Sequence, residues 1–427
     1  MKLVVTISIL LFCTAILFAQ EHVTTPFQAK YHMLSPDELK IENNNSKDFI
    51  VTAPPTGNVR NIAEFEPNQG VIISYPSYYA TPFTLIAELS QDVIIYIICE
   101  TTSQSDEITL DFQTQGVNMD NVQFVYAPLD TQWTRDYSPW FIEYGDNRQV
   151  GIVDFPYNRP RPNDDEISNV LGNYFAMEVF GMNLIHTGGN YMTDGLGFAA
   201  SCDLTYTENP SLTQQQIATM VDDFLGITDY QLVNDPLDDY IEHIDCWAKF
   251  LDVDKILMAR VPTDDYRYAD YETLADFWAN KTSSYGNKYK VYRVDWVVDG
   301  NAYTNSLIMN NKVFVPFNTG AAGVYNAAAA TAYQEAMPGY EVIGITYNDW
   351  YSTDALHCRT HEVPDFNMLR VLHYPYYDTV AYQTQFDFNA DVYSFENSSN
   401  ISSVKLFYKI NDGVFNQVPM NLISGNQ

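Results

Sequence analysis

The stretch "GFAASCDLTYTENPSLTQQQIATMVDDFLGITDYQLV", residues 197–233, sets two short apolar runs on either side of a helical pattern. Thr213 with Gln216 three residues later is a capping box, in which the two side chains satisfy backbone N–H groups that the first helical turn leaves without partners. Ile217, Met220, Val221, Phe224 and Leu225 then recur at helical spacing on one face, and Gly226 supplies the stop. A strand, an amphipathic helix and a second strand make one α/β unit.

Four further copies share this plan with little similarity in their letters. They are "VIISYP", a helix over 81–91 started by Pro82, and "VIIYIIC"; "VGIVDF", a helix near "NDDE", and "MNLIH"; "KILMARV", a helix over 270–280, and "KVYRV"; "KVFV", a helix over 326–335, and "YEVIGI". First strands begin near residues 71, 150, 197, 255 and 312, a spacing characteristic of internal repeats. Spacing alone leaves open whether the five units close into a ring or build a doubly wound sheet.

Composition narrows the function. Acidic residues outnumber basic ones by 54 to 22, a formal charge of −32, which excludes a nucleic-acid partner that depends on clustered Lys and Arg and favours a cationic substrate. The apolar run "LVVTISILLFCTAILFA", residues 3–19, predicts a secretory signal peptide cut near Ala19, and hence a secreted or cell-surface protein. No later segment reaches the roughly 20 apolar residues of a membrane span. Removal of the signal leaves Cys99, Cys202, Cys246 and Cys358, with three possible disulfide pairings. Cys99 and Cys202 sit in apolar runs that suit a buried small side chain.

The segments that come after the second strands carry the chemistry. Unit one leads to "TQWTRDYSPW" with Asp136, unit two to "HTGGNYMTDG", unit three to "DYIEHIDCW", unit four to "AYTNSL" and unit five to "DALHC". His243, Asn305 and Cys358 stand at nearly the same distance past their strands, so a ring would bring them together on its axis. His243 and Asp245, two apart, would share a face if extended. A thiolate, an imidazole and two carboxylates suit a guanidinium, whose planar N–H fork pairs with carboxylates while its central carbon stays open to attack. Two other readings remain. "HCRTH" offers His357, Cys358 and His361 to zinc, though without a C-x-x-C or H-E-x-x-H companion. A non-catalytic surface binding protein is the other.

The set "WTRDY", "HID", "YTN" and "ALHC", strung along five such units over about residues 60–375, resembles the guanidine-modifying superfamily, and within it the secreted porphyromonad-type peptidylarginine deiminases, relatives of the agmatine deiminases. The resemblance implies a pseudo-fivefold α/β propeller. It also implies that Cys358 is the nucleophile, His243 the general acid and base, that Asp136 and Asp245 hold the guanidinium, and that Asn305 lines the site. Trp133 and Tyr240 join the expected substrate contacts. No metal or organic cofactor is required by this chemistry. The implied substrate is peptidyl-arginine, hydrolysed to citrulline and ammonia.

In "YNRPRPND", Arg159 and Arg161 lie two apart between prolines that disfavour helix, and two guanidiniums on one face would clamp a carboxylate. The resemblance makes that pair a clamp for the terminal carboxylate of a peptide ending in arginine. Agmatine, which lacks a carboxylate, is the alternative substrate, and "DALHC" departs from the glycine-rich segment usual before the cysteine of agmatine deiminases. Residues 20–60 read as an irregular lead-in open to processing, and 61–375 as the catalytic domain. From 376 to 427 short alternating runs with an "NDG" turn read as the opening of an immunoglobulin-like β domain, with too few strands for a whole one.

Overall fold

Gln214–Leu225 is helical, with the reciprocal Thr213–Gln216 capping box formed and Gly226 closing it at φ +67°. A Cβ on Gly226 would lie 2.0 Å from the Val59 carbonyl oxygen, so the left-handed backbone and the close approach both require glycine. The helix buries Ile217, Val221, Phe224 and Leu225 against Ile142, Val153 and Phe180 of the preceding unit. It joins Phe198–Cys202 to Asp229–Val233, which pair in parallel. The computed structural model describes residues 32–297, 301–374, 376, 380–394, 401–411, 413, 414 and 416–423, so the expected signal peptide lies outside the described residues.

Five sheets repeat one pattern. A short strand runs antiparallel to the unit's first strand, and the second strand, reached through a helix, pairs in parallel on the other side. Trp140–Tyr144, Gln149–Asp154 and Val179–Gly181 form one such set, and Met192–Thr193 with Phe198–Cys202 and Asp229–Val233 the next. Ala248–Asp252, Lys255–Arg260 and Lys290–Asp295 make the third; Leu307–Met309, Lys312–Phe317 and Glu341–Thr346 the fourth. In the remaining sheet the late strand His361–Pro364 pairs antiparallel with Asn68–Ser74, which pairs in parallel with Ile94–Cys99. The two ends of the repeat series therefore share a sheet. Every loop that passes from the last parallel strand of one set to the short strand of the next carries one of the chemically distinctive segments.

The structure corrects the sequence expectation at three places. "VIIYIIC" is followed by a helix, Thr102–Thr114, and a further parallel strand, Val122–Tyr126, so the apolar run is a central strand paired on both sides. "MNLIH" is not a strand. Val179–Gly181 fills that place, and the Leu184 N–H turns back to the Met182 carbonyl at 2.7 Å while the Asn209 side chain takes up the Ile185 backbone. "HID" is not extended either: Ile244–Cys246 is a 3-10 turn, so His243 and Asp245 do not share a strand face.

Trp278 shows how neighbouring sheets are joined. Carried by the helix Tyr268–Asn280, it meets Phe198 of one sheet and Phe250 of the next edge-to-face, at centroid distances of 5.9 and 5.6 Å. Beyond the repeats, Leu369–Leu372 pairs with Asp391–Ser394 and Lys405–Tyr408 with Asn416–Pro419, both antiparallel.

Candidate active site

Cys358 sits in the 3-10 turn His357–Arg359, fully buried. Three anchors fix this turn. Arg359 makes a bidentate pair with Asp354 (2.8 and 2.7 Å) and donates to the carbonyls of Ala80 and Asp349 at 2.7 and 2.9 Å. Asn305 accepts the backbone N–H of His357 (2.9 Å) and of Cys358 (3.2 Å) on Oδ1, and its Nδ2 reaches the Cys358 Sγ at 3.2 Å. The two ring nitrogens of His357 lie within hydrogen-bond distance of carboxylate oxygens, Nδ1 2.7 Å from Asp245 Oδ2 and Nε2 2.9 Å from Glu64 Oε2.

Asp245 is thus held between the cysteine turn and a buried charge network. Its Oδ2 lies 4.0 Å from the Cys358 Sγ. Behind it, Glu64 pairs with Lys249 at 2.6 Å and Arg135 with Glu362 at 2.6 Å, all around one cavity that Asp245 and His357 also line. Burial alone would neutralise Glu64; Lys249, His357 and Arg135 together hold its pKa well below the usual carboxylate value.

Asp136, in the short helix Thr134–Tyr137, is fully buried. Its Oδ1 accepts the Gly189 N–H at 3.2 Å and lies 3.6 Å from His243 Nδ1, and its Oδ2 is paired with His32 Nε2. At 3.6 Å the imidazole is in electrostatic contact but not hydrogen-bonded, and neither ring nitrogen of His243 has a hydrogen-bond partner among the described residues. A Cβ on Gly189 would stand 2.6 Å from His243 Nδ1 and 2.7 Å from Asp136 Oδ1, so the absent side chain makes room for both groups. Burial pushes the His243 pKa down to about 4 against the pull of Asp136 and Asp245. Asp136 is affected by burial, which raises it, but His32 and His243 outweigh this and leave it below the ordinary value. The Cys358 thiol receives a hydrogen bond from Cys246, which lowers its pKa, but burial and the charges of Asp245, Asp136 and Asp354 leave it raised. The resting site therefore holds a neutral imidazole and a thiol beside two carboxylates.

Trp133 is buried next to Asp136, and the Arg161 guanidinium carbon stands 4.9 Å over its ring. Arg161 is buried, and its Nε pairs with Glu38 at 2.7 Å. Arg159 points elsewhere, with Nη1 3.9 Å from Glu208 Oε1, yet its charge is felt by Asp136 and His243. The expected pair is therefore split between two carboxylates. The Arg161 N–H turns back to the Arg159 carbonyl at 2.8 Å, so the segment is a tight turn rather than an extended one. Tyr240 lies at the rim, 40% exposed, with its hydroxyl 3.1 Å from Thr353 Oγ1.

The four cysteines among the described residues, Cys99, Cys202, Cys246 and Cys358, are free and buried, so none of the three disulfide pairings forms among them. "HCRTH" is not one helix: His361 begins a strand, and its Nδ1 faces the Glu362 carbonyl at 2.8 Å. Among the described residues no group of three or more His, Cys, Asp and Glu side chains is placed to hold a metal ion. Sequence reasoning missed Glu64 and Gly189, and it missed His32 and Glu38 of the lead-in. Only the "GG" of "HTGGN" and the capping-box spacing of Ser35 and Glu38 could have signalled any of them.

Residues 60–364 match the family described as Porphyromonas-type peptidyl-arginine deiminase. A Legionella pneumophila protein named "Putative agmatine deiminase" is 24% identical over 352 residues, covering 74% of this chain and 98% of its own. In fold, the chain is similar to the agmatine deiminase of Enterococcus faecalis (TM-score 0.62, 18% identity, 74% of this chain and 100% of that one). It is similar in the same way to a Porphyromonas gingivalis crystal structure described as a "Putative Arginine Deiminase" (TM-score 0.63, 19% identity, 73% and 100%). The chain is thus a hydrolase of the guanidine-modifying superfamily that deiminates guanidino groups. Within that class it belongs to the Porphyromonas-type peptidyl-arginine deiminase family.

Proposed function

We propose that this protein hydrolyses the guanidinium of arginine at the C-terminus of peptides, giving citrulline and ammonia. Asp136 and Asp245 accept N–H groups of the bound guanidinium from either side of Cys358. The incoming cation offsets the two carboxylates that keep Cys358 protonated, so substrate binding itself promotes the thiolate. The proton passes to neutral His243. Sγ then bonds to the guanidinium carbon, and the terminal nitrogen takes the proton from His243 and leaves as ammonia. His243 next deprotonates a water that adds to the thiouronium carbon, and the C–S bond breaks to return the thiol and release the ureido product. Asn305 positions the sulfur throughout.

The observation that carries the peptide reading is Arg161. It stands over Trp133 and already holds a carboxylate, that of Glu38, at 2.7 Å. Agmatine has no such group to offer. The names of the curated relatives favour agmatine as the second reading, and the chain covers 98% of the length of one of them. Peptides ending in free arginine, the same peptides amidated, free arginine and agmatine should be compared by ammonia release and ureido product. C-terminal arginine should lead by orders of magnitude, and Arg161→Ala should remove that lead, since a carboxylate–guanidinium pair in a desolvated site is worth roughly 1.5–3 kcal/mol per hydrogen bond. Equal or better turnover of agmatine would establish the second reading, and turnover by Cys358→Ala would remove the nucleophile.

The five repeated sheets, and the late strand that completes the first of them, support a pseudo-fivefold propeller with these loops at its axis. Residues 61–375 are assigned to that catalytic domain and 376–427 to an immunoglobulin-like segment, a reading supported by the antiparallel pairing of Lys405–Tyr408 with Asn416–Pro419. The apolar run at 3–19 supports export. No helix among the described residues is long and apolar enough to cross a membrane.

A further inference from the structure

The lead-in lies inside the site. His32, 1% exposed, pairs through Nε2 with Asp136, and its ring meets Trp133 edge-on at 4.2 Å and His243 at 5.5 Å. Six residues later Glu38 places its carboxylate on Arg161. Ser35 and Glu38 brace each other: the Ser35 N–H donates to Glu38 Oε2 at 2.7 Å and the Glu38 N–H to Ser35 Oγ at 3.1 Å. Further along, the side-chain amides of Asn43 and Asn45 donate to the Tyr157 carbonyl, both at 3.0 Å, and Asn45 also to the Arg159 carbonyl at 2.9 Å. The segment is thus tied to the very loop that carries the two arginines.

These contacts copy the two ends of an arginine with a free carboxylate. A flat nitrogen donor sits on the carboxylate meant for the guanidinium, against the same aromatic wall, and an acid sits on the arginine meant for the terminal carboxylate. The segment joins the sheets through residues 53–58, of which Ala53, Pro54, Thr56, Gly57 and Asn58 are exposed. We infer that residues 32–48 are an autoinhibitory plug that occupies the substrate site by imitating the substrate. The inference rests on the proposed roles of Asp136 and Arg161 as substrate contacts. The plug acts in cis, so substrate must displace it, and loss of its grip raises activity without altering any group that touches the reacting atoms.

Two readouts on the full-length chain test this. His32→Ala, Glu38→Ala and the double variant should each raise kcat/KM for a peptide ending in arginine, the double variant at least tenfold and mainly through KM. The same variants should speed the alkylation of Cys358 by iodoacetamide, a measurement that needs no substrate. Rates equal to or below those of the unaltered chain in both assays would overturn the plug while leaving the deiminase reading intact. Faster alkylation with no turnover of any guanidino compound would keep the plug and overturn the substrate reading. Glu38→Gln separates charge from bulk: it should approach Glu38→Ala if the carboxylate on Arg161 is what holds the segment, and unaltered rates in Glu38→Gln with raised rates in Glu38→Ala would overturn the mimicry.

Discussion

Asn305 grips Cys358 from two directions, its Nδ2 3.2 Å from the sulfur and its Oδ1 on the backbone N–H of the same residue at 3.2 Å. One side chain therefore sets both the height of the turn and the position of the nucleophile. Asn305→Ala leaves the buried N–H groups of His357 and Cys358 without that acceptor, at a cost of about 1–3 kcal/mol for a group left wholly unsatisfied. Thermal unfolding should show the loss, and kcat should fall by about 100-fold as the sulfur drifts from its attack position. A variant that kept full activity would reduce Asn305 to a loop staple.

Gly189→Ala tests the packing between imidazole and carboxylate. The added methyl would lie 2.6 Å from His243 Nδ1 and 2.7 Å from Asp136 Oδ1, so one of them must move. By displacing the acid-base imidazole or the carboxylate that holds the guanidinium, this change should lower kcat/KM by about 100-fold with a small effect on unfolding. Unchanged kinetics would mean that His243 and Asp136 need no close approach.

The thiol supplies a pH test. Burial and the charges of Asp245, Asp136 and Asp354 outweigh the Cys246 hydrogen bond and raise its pKa, so the rise of iodoacetamide inactivation with pH should lie above the ordinary thiol value of about 8.5. Asp245→Asn removes one negative charge 4.0 Å from Sγ and should move that rise to lower pH. A shift in the opposite direction would show that Asp245 acts on the sulfur chiefly through its hydrogen bond to His357.

Trp278→Ala opens a cavity where two sheets meet, and the loss should be about 3–5 kcal/mol of stability by denaturant unfolding, with little change in KM. A loss below about 1 kcal/mol would show that the helix Tyr268–Asn280 collapses into the space.

The units were legible because local signals agreed with one another. The capping box at Thr213, the apolar stripe from Ile217 to Leu225 and the stop at Gly226 each point to the same helix, and it spans Gln214–Leu225 as those signals require. Where signals conflicted the sequence misled. "MNLIH" has the letters of a strand but comes after a partner that ends at Asp154, and "HID" alternates like a strand but lies in a tight 3-10 turn. Pairing partners and turn geometry are decided across the chain, not within five residues.

By itself the sequence determined which residue types stand between successive units, because that order is written along the chain: Asp136, His243 with Asp245, Asn305, Cys358. Only the tertiary structure decided what surrounds them. Glu64 braces His357 across 293 residues, Gly189 makes way for an imidazole 54 positions further on, and His32 meets Asp136 across 104. Apart from the "GG" of "HTGGN", these contacts leave no local signature, since a buried charge is held by whatever partner folding brings within hydrogen-bond reach. The split of Arg159 and Arg161 has the same cause: two prolines predict an extended clamp, but Glu208 and Glu38, arriving from separate parts of the chain, take one guanidinium each.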